Sequence, residues 1–194
     1  MHGRLRCRAA CAVWLAAGWA AAAAAGEIVN SLDTTNGVTL TSYHAEDLQL
    51  TVVTDDKQEG QGAVRVDFSS GANPYGNAGI EVRIPETNLK GKTLSVRVKN
   101  LTPETCASTF IALMDSAGKR AEMRAYHQLK GWRKLTFPVG EKGAADHYEQ
   151  GAGADLTKIV AVRCYTNTRG TQQKASVLWD DLHEVTDPAE KYAP

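Results

Sequence analysis

The sequence predicts an all-β protein: a single jelly-roll β-sandwich of two antiparallel sheets. Three observations carry that prediction. Apolar and polar residues alternate at period two in about ten separate stretches. Turns rich in Gly, Asn and Asp separate those stretches at short intervals. After the N-terminus, no stretch shows an apolar stripe at helical spacing.

The first 25 residues read as a segment removed before folding. MHGRLRCR is a basic lead, AACAVWLAAGWAAAAA an apolar run, and the small residues Ala23 and Ala25 precede Gly26. This is the layout of a secretory signal peptide cut near Ala25, which places the mature protein outside the cytoplasm, secreted or periplasmic. A membrane-crossing helix needs about 20 apolar residues. This run is shorter, so no membrane span is expected in the mature chain. Neither Cys7 nor Cys11 ends the apolar run, which disfavours a lipid anchor. Residues 26–187 are then one β-sandwich domain, and 188–194 a C-terminal tail.

The strands follow in order. EIVNSL is a short one, and DLQLTVVTD ends at the turn DDKQEGQG. In GAVRVDF, Val64, Val66 and Phe68 share one face, with Arg65 and Asp67 on the other. IEVRIPE repeats the pattern with Ile80, Val82 and Ile84, and LSVRVKN with Leu94, Val96 and Val98. STFIALMDS, RAEMRAYHQL, WRKLTFPV, KIVAVRCYT and ASVLWDDLHEV complete the set. The turns SSGANPYGN, NLKGK, DSAGK and LKGW fall between strands. Residues 140–155, GEKGAADHYEQGAGAD, read as irregular with room for one helical turn. Strands of this kind bury one face, so function is sought among the polar residues of the other.

Composition excludes several classes. The chain carries 22 basic and 22 acidic residues. Cleavage removes Arg4, Arg6 and Arg8 and no acid, leaving a mature charge of about −3. No basic run of five or more follows, so nucleic acid is not an expected partner. Zinc-protease pairs, a GxSxG elbow, a Walker loop and a dinucleotide fingerprint are all missing from the sequence. The GxG within EGQG leads into a strand and is a turn. Tyr126 and His127 are strand neighbours on opposite faces, so they cannot form a proton-transfer couple. His44, His127, His147 and His183 lack metal-ligand spacing. Cys106 and Cys164 leave two readings open, a disulfide or buried free thiols. Asn100 opens an NLT glycosylation pattern, which has meaning only in a eukaryotic host.

The order of signals resembles a known family. QEGQGAVRVDF, NPYGNAGIEVRI, GKTLSVRVKN, FIALMDSAGKR, GWRKLTFPV, DLTKIVAVRCYTN and VLWDDLHEV are similar to the galactose-binding-like β-sandwich of many carbohydrate-binding modules. The resemblance spans about residues 27–186 and departs where Trp179 stands in place of the usual Tyr or small aliphatic. It implies that Trp132 and Trp179 belong to the core.

The resemblance also implies a structural calcium at the sandwich edge. Its ligands would be Asp180 or Asp181 of the closing strand, with Asp33 and Glu59 as partners and loop carbonyls completing the six to eight oxygens. The alternative is that the Asp pair sits on an exposed edge strand, where charge discourages aggregation.

For a sugar ligand, the chemistry needs flat aromatics and convergent polar groups. Glu122, Arg124, Tyr126 and Gln128 share one strand face, and Arg163 and Tyr165 share another. Two strands presenting Arg-x-Tyr outward read as a binding surface, with Tyr75 in the NPYG loop closing one end. The competing reading is that Arg and Tyr are common on exposed sheets. The resulting expectation is an exported, non-catalytic module that binds a carbohydrate polymer or oligosaccharide. The alternatives are a jelly-roll polysaccharide lyase or glycoside hydrolase, and an adhesive module without sugar affinity.

Overall fold

The computed structural model describes residues 28–125, 129–140, 147–151 and 153–186. The expected leader (residues 1–25), Tyr126, Gln128 and the expected tail (residues 188–194) lie outside the described residues. Among the described residues there are twelve strands and no helix. They are β1 (Ile28–Asn30), β2 (Val38–Tyr43), β3 (Glu46–Val53), β4 (Ala63–Ser69), β5 (Asn77–Thr87) and β6 (Thr93–Asn100), followed by β7 (Cys106–Asp115), β8 (Arg120–Ala125), β9 (Arg133–Pro138), β10 (His147–Gly151), β11 (Ile159–Thr168) and β12 (Lys174–Glu184).

They form two six-stranded sheets. The first runs β3-β4-β12-β6-β9, with β1 also on β12; the second runs β10-β8-β7-β11-β5-β2. Every pairing between these strands is antiparallel. The alternation read from sequence sets which side chains meet between the sheets. Val64, Val66, Phe68, Ile80, Val82, Leu94, Val96 and Val98 are buried there with Phe137, Leu135 and Trp179.

Both edges of the second sheet escape the sequence pattern. β2 carries only Val38 and Leu40 as apolar residues, so its alternation is faint. β10 occupies part of the stretch expected to be irregular with a helical turn; it pairs instead with β8 from His147↔Ala125 to Gly151↔Ala121. An edge strand has one hydrogen-bonded neighbour and needs little apolar content to hold it.

Two further expectations change, and one open alternative closes. Trp132 is half-buried outside the main core, and its indole N–H donates to Asp56 at 2.8 Å. Cys106 and Cys164 are separate buried thiols, and burial pushes the Cys106 thiol up to about 11. Asn100 is buried within the first sheet, so in the folded protein it is not presented for glycan attachment.

Candidate functional site

The Asp180–Asp181 pair does not lie at an edge. β12 is central to the first sheet, between β4 and β6, and Asp180 is fully buried. The ladder with β6 shifts register between Asp180 and His183, where an extra residue bulges out. Asp181 takes the left-handed conformation (φ 50°) that the bulge requires. Trp179 and Leu182 both reach the core, and both carboxylates are left on the outer side.

That outer side is covered by the β3–β4 loop. The Asp180 carboxylate accepts the backbone N–H groups of Gln58 (2.7 Å) and Glu59 (3.0 Å) through Oδ2. Asp56, in the same loop, takes Lys99 at 2.7 Å as well as Trp132. Asp33 accepts the N–H groups of Gln61 and Gly62, the latter at 2.8 Å. Those bonds, Gly62 foremost, hold the Asp33 carboxyl below its ordinary range. Arg97 bridges Glu59 (3.0 Å) and Asp181 (3.5 Å), and His183 Nδ1 lies 3.0 Å from Asp181. Burial pushes Asp181 up, but His183 and Arg97 outweigh it and its carboxyl is held low. Burial raises Asp180, and the charges of Asp181 and Asp33 add to the rise.

Asp33, Glu59, Asp180 and Asp181 therefore gather around one loop, but their partners are backbone N–H groups, Arg97 and His183. Asp180 Oδ1 is buried without a hydrogen bond, the one feature here suited to a cation. Among the described residues no three His, Cys, Asp or Glu side chains are placed to hold a metal ion. A calcium cage of six to eight oxygens does not fit this donor set as it stands.

The second feature is a cleft of about 480 Å³ on the outer face of the second sheet. Cross-strand register builds its floor. One row runs Gly79–Tyr165–Phe110–Arg124 across β5, β11, β7 and β8; the next runs Glu81–Arg163–Ala112–Glu122. Thus Glu122, Arg124, Arg163 and Tyr165 do converge, and Tyr75 lines the same cleft. Phe110, Arg120, Asn77, Asn167 and Tyr43 also line it and were not anticipated. Phe110 sits in the apolar run TFIALM, where outward and inward residues look alike. Tyr43 lies on the missed strand β2.

The aromatic arrangement differs from a flat platform. The Phe110 and Tyr165 rings are parallel within 6° with centroids 4.8 Å apart, and the Arg124 guanidinium lies 4.8 Å over the Phe110 ring. The two rings are 3% and 9% exposed, so the faces that meet each other are closed to a ligand. Gly79 makes this possible: a side chain there would collide with Tyr165 and the Cys164 carbonyl. The Tyr165 hydroxyl donates to Glu122. Burial first, and that carboxylate second, push the phenol well above its ordinary range.

The open aromatics stand at one end. Tyr43 is 57% and Tyr75 70% exposed. Tyr43 closes β2 just before His44 (φ 51°), where the chain turns from the second sheet into β3 of the first. Tyr75 is held by an Asn73 turn, with its N–H donating to Asn73 Oδ1 at 2.8 Å. Polar groups lie beside them. Asn77 and Asn167 share the cross-strand row of Tyr43, with the Asn167 side-chain Oδ1 buried without a hydrogen bond, and two rows along Arg163 Nε donates to Glu81 at 2.6 Å.

No family model and no curated protein matches this chain. Solved structures do. A structure of carbohydrate-binding modules from the β-sandwich superfamily aligns with TM-score 0.57 at 12% identity, covering 84% of this chain and 63% of that one. The family 11 carbohydrate-binding module from Clostridium thermocellum, in complex with a β-1,3-1,4-mixed-linked tetrasaccharide, aligns with TM-score 0.57 at 13% identity, over 82% of this chain and 94% of that one. An exo-β-agarase aligns with TM-score 0.56 at 10% identity, over 81% of this chain but only 25% of that one. The protein thus has the β-sandwich fold of carbohydrate-binding modules.

Proposed function

We propose that the protein is an exported, non-catalytic module that binds a poly- or oligosaccharide in the cleft of the second sheet. The observation that carries this reading is the pair of exposed tyrosines, Tyr43 and Tyr75, beside convergent polar groups in a cleft on this fold. Sugar C–H faces would stack on the tyrosines, while hydroxyls would meet Asn77, Asn167 and Arg163. Export rests on the layout of residues 1–25; no helix among the described residues is long and apolar enough to cross a membrane.

The fold likeness to an agarase keeps an enzyme reading in view. Against it, the tyrosine of the cleft floor is engaged as a donor to Glu122 and pushed away from a base's range. The test is a glycan array with the mature chain, followed by an assay of bound polymers for new reducing ends or unsaturated sugars. Saturable binding without product is expected. Product release would overturn the non-catalytic reading, and absence of any binding would overturn the sugar reading.

A further inference from the structure

The charges of the cleft are arranged in two levels. Glu81 and Glu122 are both only 8% exposed and act as props from below. Glu81 holds Arg163 at 2.6 Å and lies 3.5 Å from Arg83, and Glu122 accepts the Tyr165 hydroxyl. The arginines stand above them. The side chains of Arg83, Arg120 and Arg163 are 81%, 58% and 33% exposed, and Arg120 approaches Glu122 no closer than 3.8 Å. A ligand entering the cleft therefore meets the guanidinium groups of Arg120 and Arg163, while Glu122, the acid among the lining residues, is mostly buried, and Glu81 and Arg83 lie outside the lining.

The choice of cation adds to this. Among the described lining residues there are three arginines, Arg120, Arg124 and Arg163, against one acid, Glu122, and no lysine. Guanidinium is a planar fork that pairs bidentately with carboxylate or sulfate oxygens, which the round ammonium of lysine does not. Among the described residues Arg163 pairs with Glu81 through Nε, which leaves the terminal amino groups of its guanidinium as donors for a ligand. The mature chain as a whole is slightly acidic, at about −3, so this cationic face is local.

We infer that the cleft selects an anionic polysaccharide, one whose sugars bear carboxylate or sulfate groups, through the guanidinium groups of Arg163 and Arg120. The inference rests on the sugar-binding reading above and narrows it to a substrate class.

The test measures binding of the mature protein by calorimetry to polygalacturonate and alginate (carboxylate), carrageenan (sulfate), and mixed-linked β-glucan and agarose (neutral), at low and high salt. The expected result is binding to at least one anionic polymer that weakens with salt, with neutral polymers at least tenfold weaker. The carboxylate and sulfate arms identify the group recognised. Arg120→Gln, which removes an exposed charge, is expected to weaken anionic binding about tenfold. Arg163→Lys keeps the charge but loses the fork and should weaken it by a similar factor. Arg133→Gln removes the same charge from an exposed position on β9 of the other sheet and should change nothing. Neutral polymers binding as tightly as anionic ones, or Arg133→Gln matching Arg120→Gln, would overturn the inference and leave sugar binding intact. If no polymer of either kind bound, the sugar-binding reading itself would fall.

Discussion

Trp179 and Leu182 lie three residues apart on β12, yet both are fully buried in the same core. Strict alternation would put them on opposite faces. The bulge at Asp181 restores the phase, and with it the reason for two adjacent acids in the middle of a strand. Both belong to the covered outer surface. Asp180 holds the loop that covers it, and Asp181 supplies the left-handed residue and a carboxylate for Arg97 and His183.

The first prediction follows from that anchor. Asp180→Ala removes the acceptor of two loop N–H groups and is expected to cost about 2–3 kcal/mol in urea unfolding. Asp180→Asn retains a carbonyl acceptor and should cost less. With N–H groups and Arg97 already holding these acids, the melting temperature is expected to ignore chelator. A fall on chelation that added calcium reverses, and that Asp180→Asn abolishes, would establish instead the calcium that the family resemblance implies.

Tyr165 and Tyr75 should separate stability from binding. Tyr165→Ala empties a place in the Phe110 stack and leaves buried Glu122 without its donor, so a loss of about 3 kcal/mol is expected. Tyr43→Ala and Tyr75→Ala remove exposed rings and should leave stability within about 0.5 kcal/mol. They should weaken sugar binding measured on the same samples. A Tyr165→Ala protein as stable as wild type would show that the stack contributes nothing.

Gly79 is the most sensitive position of the cleft floor. Gly79→Ala drives a methyl group into Tyr165 and the Cys164 carbonyl, and the β5–β11 ladder must part to admit it. The expected cost is at least about 2 kcal/mol. The circular-dichroism signal of the stacked aromatics should be altered as well.

Acid pH should act through Asp115. Its carboxylate accepts the N–H of Asp155 at 2.9 Å, and those of Ala117 and Lys119 at 3.0 and 2.8 Å, tying the β7–β8 turn to the loop before β11. These bonds, Asp155 first, lower its pKa below the ordinary 3.8. A carboxyl with a depressed folded-state value contributes stability that is fully present above 3.8 and lost as pH falls through the lower value. Asp115→Asn should therefore be less stable than wild type at neutral pH. The gap should narrow as pH drops below 3.8, as followed by thermal melts across the acid range.

The sequence by itself determined the sandwich and most of its inward residues. Side chains on a strand repeat at period two, so Val64, Val66 and Phe68, or Leu94, Val96 and Val98, declare their common face without any partner. It also placed Arg163 with Tyr165, and Glu122 with Arg124, on single faces. What it left to the tertiary structure was how much of an outward face stays open. Tyr165 points away from the core, yet Phe110, Glu122 and Gly79, each from a different strand, close over and beneath it. The loop carrying Gln58 and Glu59 likewise covers Asp180 from 121 and more residues away. Alternation is a property of one strand, whereas exposure belongs to the whole sheet and whatever crosses it. For the same reason the stack, the bulge, and the edge strands β2 and β10 were decided only when distant segments met.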